Sequence, residues 1–371
     1  MTDATPARPD TCARIALLTD QADALEPWTG PFTAADLEAW LVDQLGDARA
    51  LDAWIARGGI RSRAVALDPV LHVISGNTPH AGFQSLLRGL LLGAMQRVKL
   101  PTAGLPPLES WIAALPAGLA ALVETSRTLP DAWRDPAAAV IFGGGETLDF
   151  FRHWCPPETR RIEYGPKTSA AVLFAEPDAR ILDDLAGDIL RHDQRGCLSV
   201  QNILCDATAI NARHLAIALA AALERARATH PRPAPALSSS GAIRNFREIH
   251  RYRAANGEAF ELHESAGSTS WTVVLDATGE PPLLTPTPAG GTVIVRPFAP
   301  ECLTAAALGP EHGFLSTVVA HPFDDPRTVA RLDPLSPPRV CAPGAAQFPG
   351  LFWSHDGTRP LAALVRWRDL G

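Results

Sequence analysis

Val70 to Pro101 reads VLHVISGNTPHAGFQSLLRGLLLGAMQRVKLP, and its punctuation decides the fold. Val70-Leu71-His72-Val73-Ile74 is a short apolar run closed by the turn-forming Ser75-Gly76-Asn77-Thr78-Pro79. The spacing then predicts a helix from about Gly82 to Gln96, followed by a second short strand, Arg97-Val98-Lys99-Leu100, that stops at Pro101. Strand, helix and strand within about 30 residues form a βαβ unit, which implies a parallel sheet.

The alternation extends outward from there. Residues from about 14 to 66 read as helical, with apolar residues three and four apart in Ala34 to Leu45 and Ala48 to Ala56. On the other side come a helix from about Pro107 to Thr125 and a strand, Ala138 to Phe142. Gly143-Gly144-Gly145, a short helix from about Glu146, and strands at Arg160 to Tyr164 and Ser169 to Phe174 follow. Such a sheet binds ligands beyond the carboxyl ends of its strands. Asn77, Lys99, the glycine triplet and Glu163 all fall at or just past those ends. Asp178 to Asp193 reads as a helix leading to Gly196-Cys197, before a helical segment beginning Leu198-Ser199-Val200-Gln201. Another Ala-rich helix lies within Leu204 to Ala228, a Pro/Ser linker spans Pro231 to Gly241, and Trp271 to Asp276 and Thr292 to Arg296 read as strands of a second domain.

Composition narrows the classes. Of 371 residues, 46% are hydrophobic and 20% charged, the range of a globular chain. A net charge of −7 argues against a nucleic-acid binder that works by neutralising phosphates. The polar opening, Met1 to Arg14, has no secretory pattern, and the apolar stretch Leu86 to Met95 is broken by Arg88 and too short to span a bilayer. The expectation is a cytoplasmic protein. Six cysteines show no CxxC pair and no zinc spacing, so no metal site is expected.

Each candidate residue has an ordinary alternative. A thiol at a helix start is favoured as thiolate and can attack a thioester carbonyl, its own N–H facing the oxyanion. Cys197 fits that pattern, and equally fits a buried cysteine at a helix start. Asn77 is an oxyanion donor or a turn residue capping its own backbone. Lys99 is a ribose ligand or a plain strand-end lysine. Gly143, Gly144 and Gly145 permit close approach of a pyrophosphate to a helix start, without matching GxGxxG. Glu163 is a general acid or base, or a solvated carboxylate; Glu146 reads first as a helix-start carboxylate.

The order of these residues carries more than any one of them. An Asn-Pro turn, a strand-end Lys, a glycine loop, Glu163-Tyr164-Gly165-Pro166-Lys167 and Gly196-Cys197 resemble the succession of the aldehyde dehydrogenase superfamily. Within it, Val73 to Pro79, Gly165 to Ser169, Asp193 to Ser199, Gly313 to Val318, Arg339 to Gly344 and Trp353 to Gly357 resemble the acyl-CoA reductase branch typified by the LuxC component of bacterial luminescence. The resemblance runs from about residue 66 to the end.

It implies an α/β, aldehyde dehydrogenase-like fold: a helical segment (1–65), a Rossmann-type dinucleotide-binding domain (66–164), a catalytic domain carrying Cys197 (165–345), and a terminal segment (346–371) that packs on the cofactor domain or at an oligomer interface. It implies reduction of a long-chain fatty acyl thioester to the aldehyde through acyl-Cys197. Asn77 is then the oxyanion donor, Glu163 a proton carrier, and Lys99, Gly143 to Gly145 and Glu146 the cofactor side. NADPH is the implied cofactor, with NADH open. Acyl-CoA or an acyl-carrier thioester is the implied donor, with an acyl-transferring partner enzyme and a homo-oligomer as further expectations. His192 and His355 are proton partners or structural histidines. The stretch before Asn77 is shorter than is usual in that branch. A hydrolytic aldehyde dehydrogenase and a catalytically weak acyl-transfer scaffold remain open as alternatives.

Overall fold

A computed structural model describes residues 8–230 and 236–371. The chain forms two compact units, Met1–Pro166 with Phe348–Gly371, and Lys167–Gln347.

The first unit begins with three helices, α1 (Thr11–Thr19), α2 (Ala22–Thr29) and α3 (Ala34–Leu45). Thr33 and Asp36 form a reciprocal capping box that fixes the start of α3. A hairpin follows, β1 (Ile55–Arg57) and β2 (Ile60–Ala66), and then the alternating part. Its elements are β3 (Val70–Val73), α4 (His80–Leu92), β4 (Gln96–Lys99), α5 (Pro106–Ala113), α6 (Ala117–Ala120), β5 (Val123–Ser126), β6 (Ala138–Phe142), α7 (Gly145–Trp154) and β7 (Arg160–Tyr164). The five strands from β3 onward form one all-parallel sheet in the order β5-β4-β3-β6-β7. The order reverses between β3 and β6, which is the doubly wound switch point.

This unit's core is largely the work of α4. Leu86, Leu87, Leu90 and Leu91 are buried together with Leu18, Leu25, Leu37, Trp40 and Leu41 of the first three helices. Each such leucine contributes roughly 1.5–3 kcal/mol by leaving water. Inside the sheet, His72 is fully buried between Ser85 Oγ (2.7 Å) and Gln96 Oε1 (2.5 Å), and burial pushes its pKa down to about 4. Gln96 needs the space of Gly89, where a Cβ would lie 1.9 Å from Gln96 Oε1.

Two readings of this region are corrected. The helical stretch expected from 14 to 66 ends near Leu51, because Gly58 and Gly59 both take positive φ and close a two-residue hairpin turn. The helix expected from Pro107 to Thr125 is broken at Pro116 into α5 and α6, and Val123–Ser126 pairs with β4 instead. The terminal strand, Val365–Leu370, lies antiparallel to β2, completing a three-stranded sheet with the hairpin.

The second unit contains β8 (Thr168–Leu173), α8 (Ala179–Leu190), β9 (Val200–Asp206), α9 (Ala212–Ala226), α10 (Leu237–Ala255), β10 (Phe260–Glu264), β11 (Thr272–Asp276), β12 (Thr292–Phe298), β13 (Leu315–His321) and β14 (Arg339–Cys341). Its seven strands run in the order β10-β11-β12-β9-β8-β13-β14, parallel except for β10 against β11. Helices α8 and α9 cover one face with Leu185, Ile189, Leu215, Leu219 and Leu223. Two more corrections fall here. The helix expected after Cys197 is the central strand β9, whose residues are buried on both faces, so the side-chain period distinguishes strand from helix poorly. Of the linker expected at 231–241, residues 231–235 lie outside the described residues, and Leu237 onward is the first turn of α10. Among the described residues no helix is long and apolar enough to cross a membrane.

Candidate active site

The first unit gathers its candidates along one edge of the parallel sheet. Asn77 sits exposed in the turn after β3, Lys99 is the half-buried last residue of β4, and Gly143-Gly144-Gly145 leads from β6 into α7. These are the strands that flank or adjoin the switch point, so the residues share its carboxyl edge. The three glycines differ physically. A Cβ on Gly143 would lie 2.6 Å from Thr147 Cβ, so that position is sterically closed. Gly144 and Gly145 have nothing within 4 Å of an added Cβ and leave the backbone open to a ligand. The α7 N-cap is Gly144, with no side-chain hydrogen bond to the helix start, so side chains leave its first-turn N–H groups uncapped. Glu146 is exposed in that first turn. The open helix start offers N–H donors to an anionic group.

Glu163 lies on β7, one residue before its end, and its carboxylate is gripped by Arg152 of α7. Nη2 donates at 2.6 Å and Nε at 3.0 and 3.2 Å, with Arg161 at 3.8 Å. The pair ties α7 to β7. His355 also belongs to this unit. It is buried and stacked between Tyr164 (3.9 Å) and Trp353 (4.2 Å).

Cys197 belongs to the second unit, in the loop that enters the amino end of β9. Among the six cysteines it occupies a distinctive setting. Cys155, Cys205 and Cys341 are buried, and burial pushes their thiols up to about 11, 12 and 11; Cys12 and Cys302 are exposed. Cys197 is half-buried. Contrary to the sequence expectation, no helix dipole favours its thiolate, because the segment it enters is a strand and a strand supplies no comparable dipole.

Backbone strain and an unusual set of braces take its place. His192, Asp193 and Gln194 have φ of 55°, 56° and 57°, three consecutive non-glycine residues in the left-handed region. Each costs about 1–2 kcal/mol relative to the right-handed form. Gln194, buried, holds the turn with all of its amide: Nε2 donates to the carbonyls of Val200 (2.6 Å) and Thr292 (2.9 Å), and Oε1 accepts the N–H of Thr292 (2.8 Å). Ser169 Oγ donates to the Cys197 carbonyl at 2.7 Å and accepts the N–H of Thr317. Gln347 bridges the Asp188 carbonyl and Ser199 Oγ. The buried Asp188 carboxylate accepts the N–H groups of Gly344 (2.8 Å) and Ala346 (3.1 Å), yet burial outweighs them and pushes its pKa up to about 7. His192 is pushed down to about 4, chiefly by burial.

None of Gln194, Ser169, Asp188 or Gln347 was singled out from sequence. Gln194 and Ser169 stood inside the blocks that carry the family resemblance; Asp188 and Gln347 carry no local signal. Among the described residues no group of three His, Cys, Asp or Glu is placed to hold a metal.

Fold and site together define a class. Known structures of aldehyde dehydrogenases superpose over nearly the whole chain. A putative aldehyde dehydrogenase, PutA, of Anabaena variabilis gives a TM-score of 0.66 at 14% identity over 97% of this chain and 88% of that one. The indole-3-acetaldehyde dehydrogenase AldA of P. syringae, solved with NAD+, gives 0.68 at 14% over 99% and 85%. The protein therefore has the aldehyde dehydrogenase fold. More narrowly, the family model described as acyl-CoA reductase (LuxC) matches residues 12–367, and the chain belongs to that family. Long-chain acyl-protein thioester reductases of Aliivibrio fischeri and Vibrio harveyi are each 28% identical to it, over 173 and 176 residues. Each alignment covers 43% of this chain and 36% of the relative, so the matched part spans about a third of those proteins.

Proposed function

We propose that this protein reduces a long-chain fatty acyl thioester to the aldehyde through an acyl group carried on Cys197. The observation that carries the reading is the placing of Cys197: a half-buried thiol three residues after a strained, braced turn, inside a match to the acyl-CoA reductase family over residues 12–367.

The Cys197 sulfur attacks the thioester carbonyl. The bond to the donor sulfur breaks, and the departing thiol takes up a proton in place of the one Cys197 gave up. The backbone N–H of Cys197 and the carboxamide of Asn77 are the proposed donors to the tetrahedral oxyanion. A single such donor is typically worth about 3–4 kcal/mol. The braces on residues 192–199 serve this step by fixing the sulfur and the N–H before substrate arrives. When bound, a nicotinamide dinucleotide supplies a hydride. Gly144, Gly145 and the α7 start are the proposed cradle for its pyrophosphate, with Lys99 at its ribose and NADPH preferred over NADH by family resemblance. Collapse of the reduced adduct would break the carbon–sulfur bond and release the aldehyde, and the Cys197 thiolate would take a proton from solvent to return to the thiol. Glu163 is occupied by Arg152, and its proposed contribution is to set α7 and the glycine loop; proton transfer requires that pair to open.

The test is the intact mass of the protein after incubation with a long-chain acyl-CoA, with and without NADPH, beside Cys197→Ala. One added acyl group, absent from the variant and discharged as aldehyde by NADPH, is the expected result. Discharge as free acid points to the hydrolytic enzyme. No adduct from either a CoA or a carrier-protein donor points to the scaffold.

A further inference from the structure

A cavity of about 490 Å3 opens inside the first unit, away from the glycine loop. Asp68, Gly93 and Ala137 line it, and these residues precede β3, β4 and β6. It therefore lies at the amino edge of the parallel sheet, whereas Asn77, Lys99 and the glycine loop lie at the carboxyl edge. The dinucleotide edge and this cavity are separate places.

Its walls are rich in guanidinium groups. Arg8, Arg14, Arg63 and Arg366 line it against two carboxylates, Asp52 and Asp68, so four positive charges less two negative leave a net +2. Arg8 is paired with Asp68. Arg14 is nearly buried and pinned by donation to Leu91 O (2.9 Å), Pro9 O (2.5 Å) and Thr11 Oγ1 (2.7 Å). It takes the room beside Gly93, where an added Cβ would stand 2.8 Å from Nη1. Arg14 is thereby a fixed charge with little hydration of its own.

The other two are different. Arg63 on β2 is cross-strand to Arg368, and Arg366 is two residues away on the same strand, so Arg63 and Arg366 are diagonal neighbours on one face. Such positions stand roughly 7–8 Å apart, where like charges repel. Arg63 donates Nε to Leu51 O (3.2 Å), and among the described residues neither it nor Arg366 is paired with a carboxylate. A planar guanidinium presents a fork that matches phosphate oxygens.

From this geometry we infer that the cavity between α1, β2 and the terminal strand is an anion site for a phosphate group, free or as a small phosphate ester, gripped by Arg63 and Arg366. Two unpaired guanidiniums match the two charges of a phosphate dianion, and the volume lies in the range of small-molecule sites, with room beyond a bare phosphate. The inference is independent of the acyl-transfer chemistry at Cys197.

Equilibrium dialysis against inorganic phosphate and against glycerol 3-phosphate tests it. The proteins to compare are wild type, Arg180→Ala, Arg63→Ala/Arg366→Ala and Arg63→Lys/Arg366→Lys. Arg180→Ala removes an exposed cation from α8 of the second unit and should bind like wild type. The double alanine variant should bind at least about tenfold more weakly, and the double lysine variant should fall between, keeping charge without the fork. Tighter binding of glycerol 3-phosphate than of phosphate would assign an ester as occupant, and equal or weaker binding would assign free phosphate. Undiminished binding by both double variants, or none by wild type below about 10 mM, overturns the site. The lysine pair keeps the test open should the alanine pair misfold.

Discussion

The glycine loop after β6 and the turn before Cys197 are built on opposite plans. Around Gly144 and Gly145 nothing approaches an added Cβ, and no side chain caps the helix that starts there. Before Cys197 the backbone is held at several points: three left-handed residues, a buried glutamine with its whole amide engaged, and a serine on the cysteine's own carbonyl. The first region leaves polar groups for a ligand to satisfy. The second ties Gln194 and Ser169 to neighbouring segments and stores strain. On the proposed reading the loop is filled by a ligand and can stay open, while the nucleophile is placed before the substrate comes, a task that would justify three consecutive costly φ angles.

The contrast can be broken most sharply at the sulfur. Cys197→Ala should abolish the acyl adduct and lower turnover by about 10⁴-fold or more, with the fold intact by circular dichroism. Asn77→Ala should reduce kcat by roughly 10²–10³-fold and leave adduct chemistry detectable but slow in a quenched-flow assay. Gln194→Leu strips partners from Val200 and Thr292 and should cost about 3 kcal/mol in urea unfolding, together with slower acylation. Wild-type stability in that variant would mean the turn is held by something else. Gly144→Val should act in the reverse sense, lowering Tm only slightly through the poorer N-cap while raising KM for the dinucleotide about tenfold, since on the proposed reading a ligand uses that space.

The smallest effect expected is a pH slope. Burial holds Asp188 at about 7 when folded, against about 3.9 for an unfolded aspartate. The folded protein therefore binds that proton more tightly, so this contribution is full below about pH 4 and is lost as pH rises through about 7. His72 and His192, both pushed down to about 4, run oppositely: their contribution is full above about pH 6.5 and is lost as pH falls through about 4. Asp188→Asn should therefore raise the unfolding free energy at pH 7.5 relative to that at pH 4.5, measured by urea titration. An unaltered difference would remove Asp188 from the account.

How much of this was legible in the sequence depends on the reach of each signal. The β3-α4-β4 unit could be read because its runs are bounded by Ser75 to Pro79 and by Pro101, and the edge carrying Asn77, Lys99 and the glycines followed from it. The β1-β2 hairpin was missed although Gly58-Gly59 marks it, because the short strands beside the turn carry alternating arginines that also suit a helix face. The segment after Cys197 was assigned to the wrong element because Val200 to Asp206 is buried on both sides. The bracing of Cys197 was out of reach for a different reason. Gln194 finds Thr292 98 residues away, Asp188 finds Gly344 156 residues away, and Ser169 finds Thr317 148 residues away. Such pairings exist only once the sheet has assembled them.

The terminal strand has a consequence for how the molecule is made. Val365 pairs with Ala66 and Leu370 with Arg61, so the first unit's small sheet joins residues about three hundred positions apart, while Lys167–Gln347 is one uninterrupted run. On the ribosome the later-coded unit has all of its residues before the earlier-coded one can finish. A chain released short of Val365 would carry every residue of the second unit and leave the outer edge of β2 unpaired, a ready template for joining another chain.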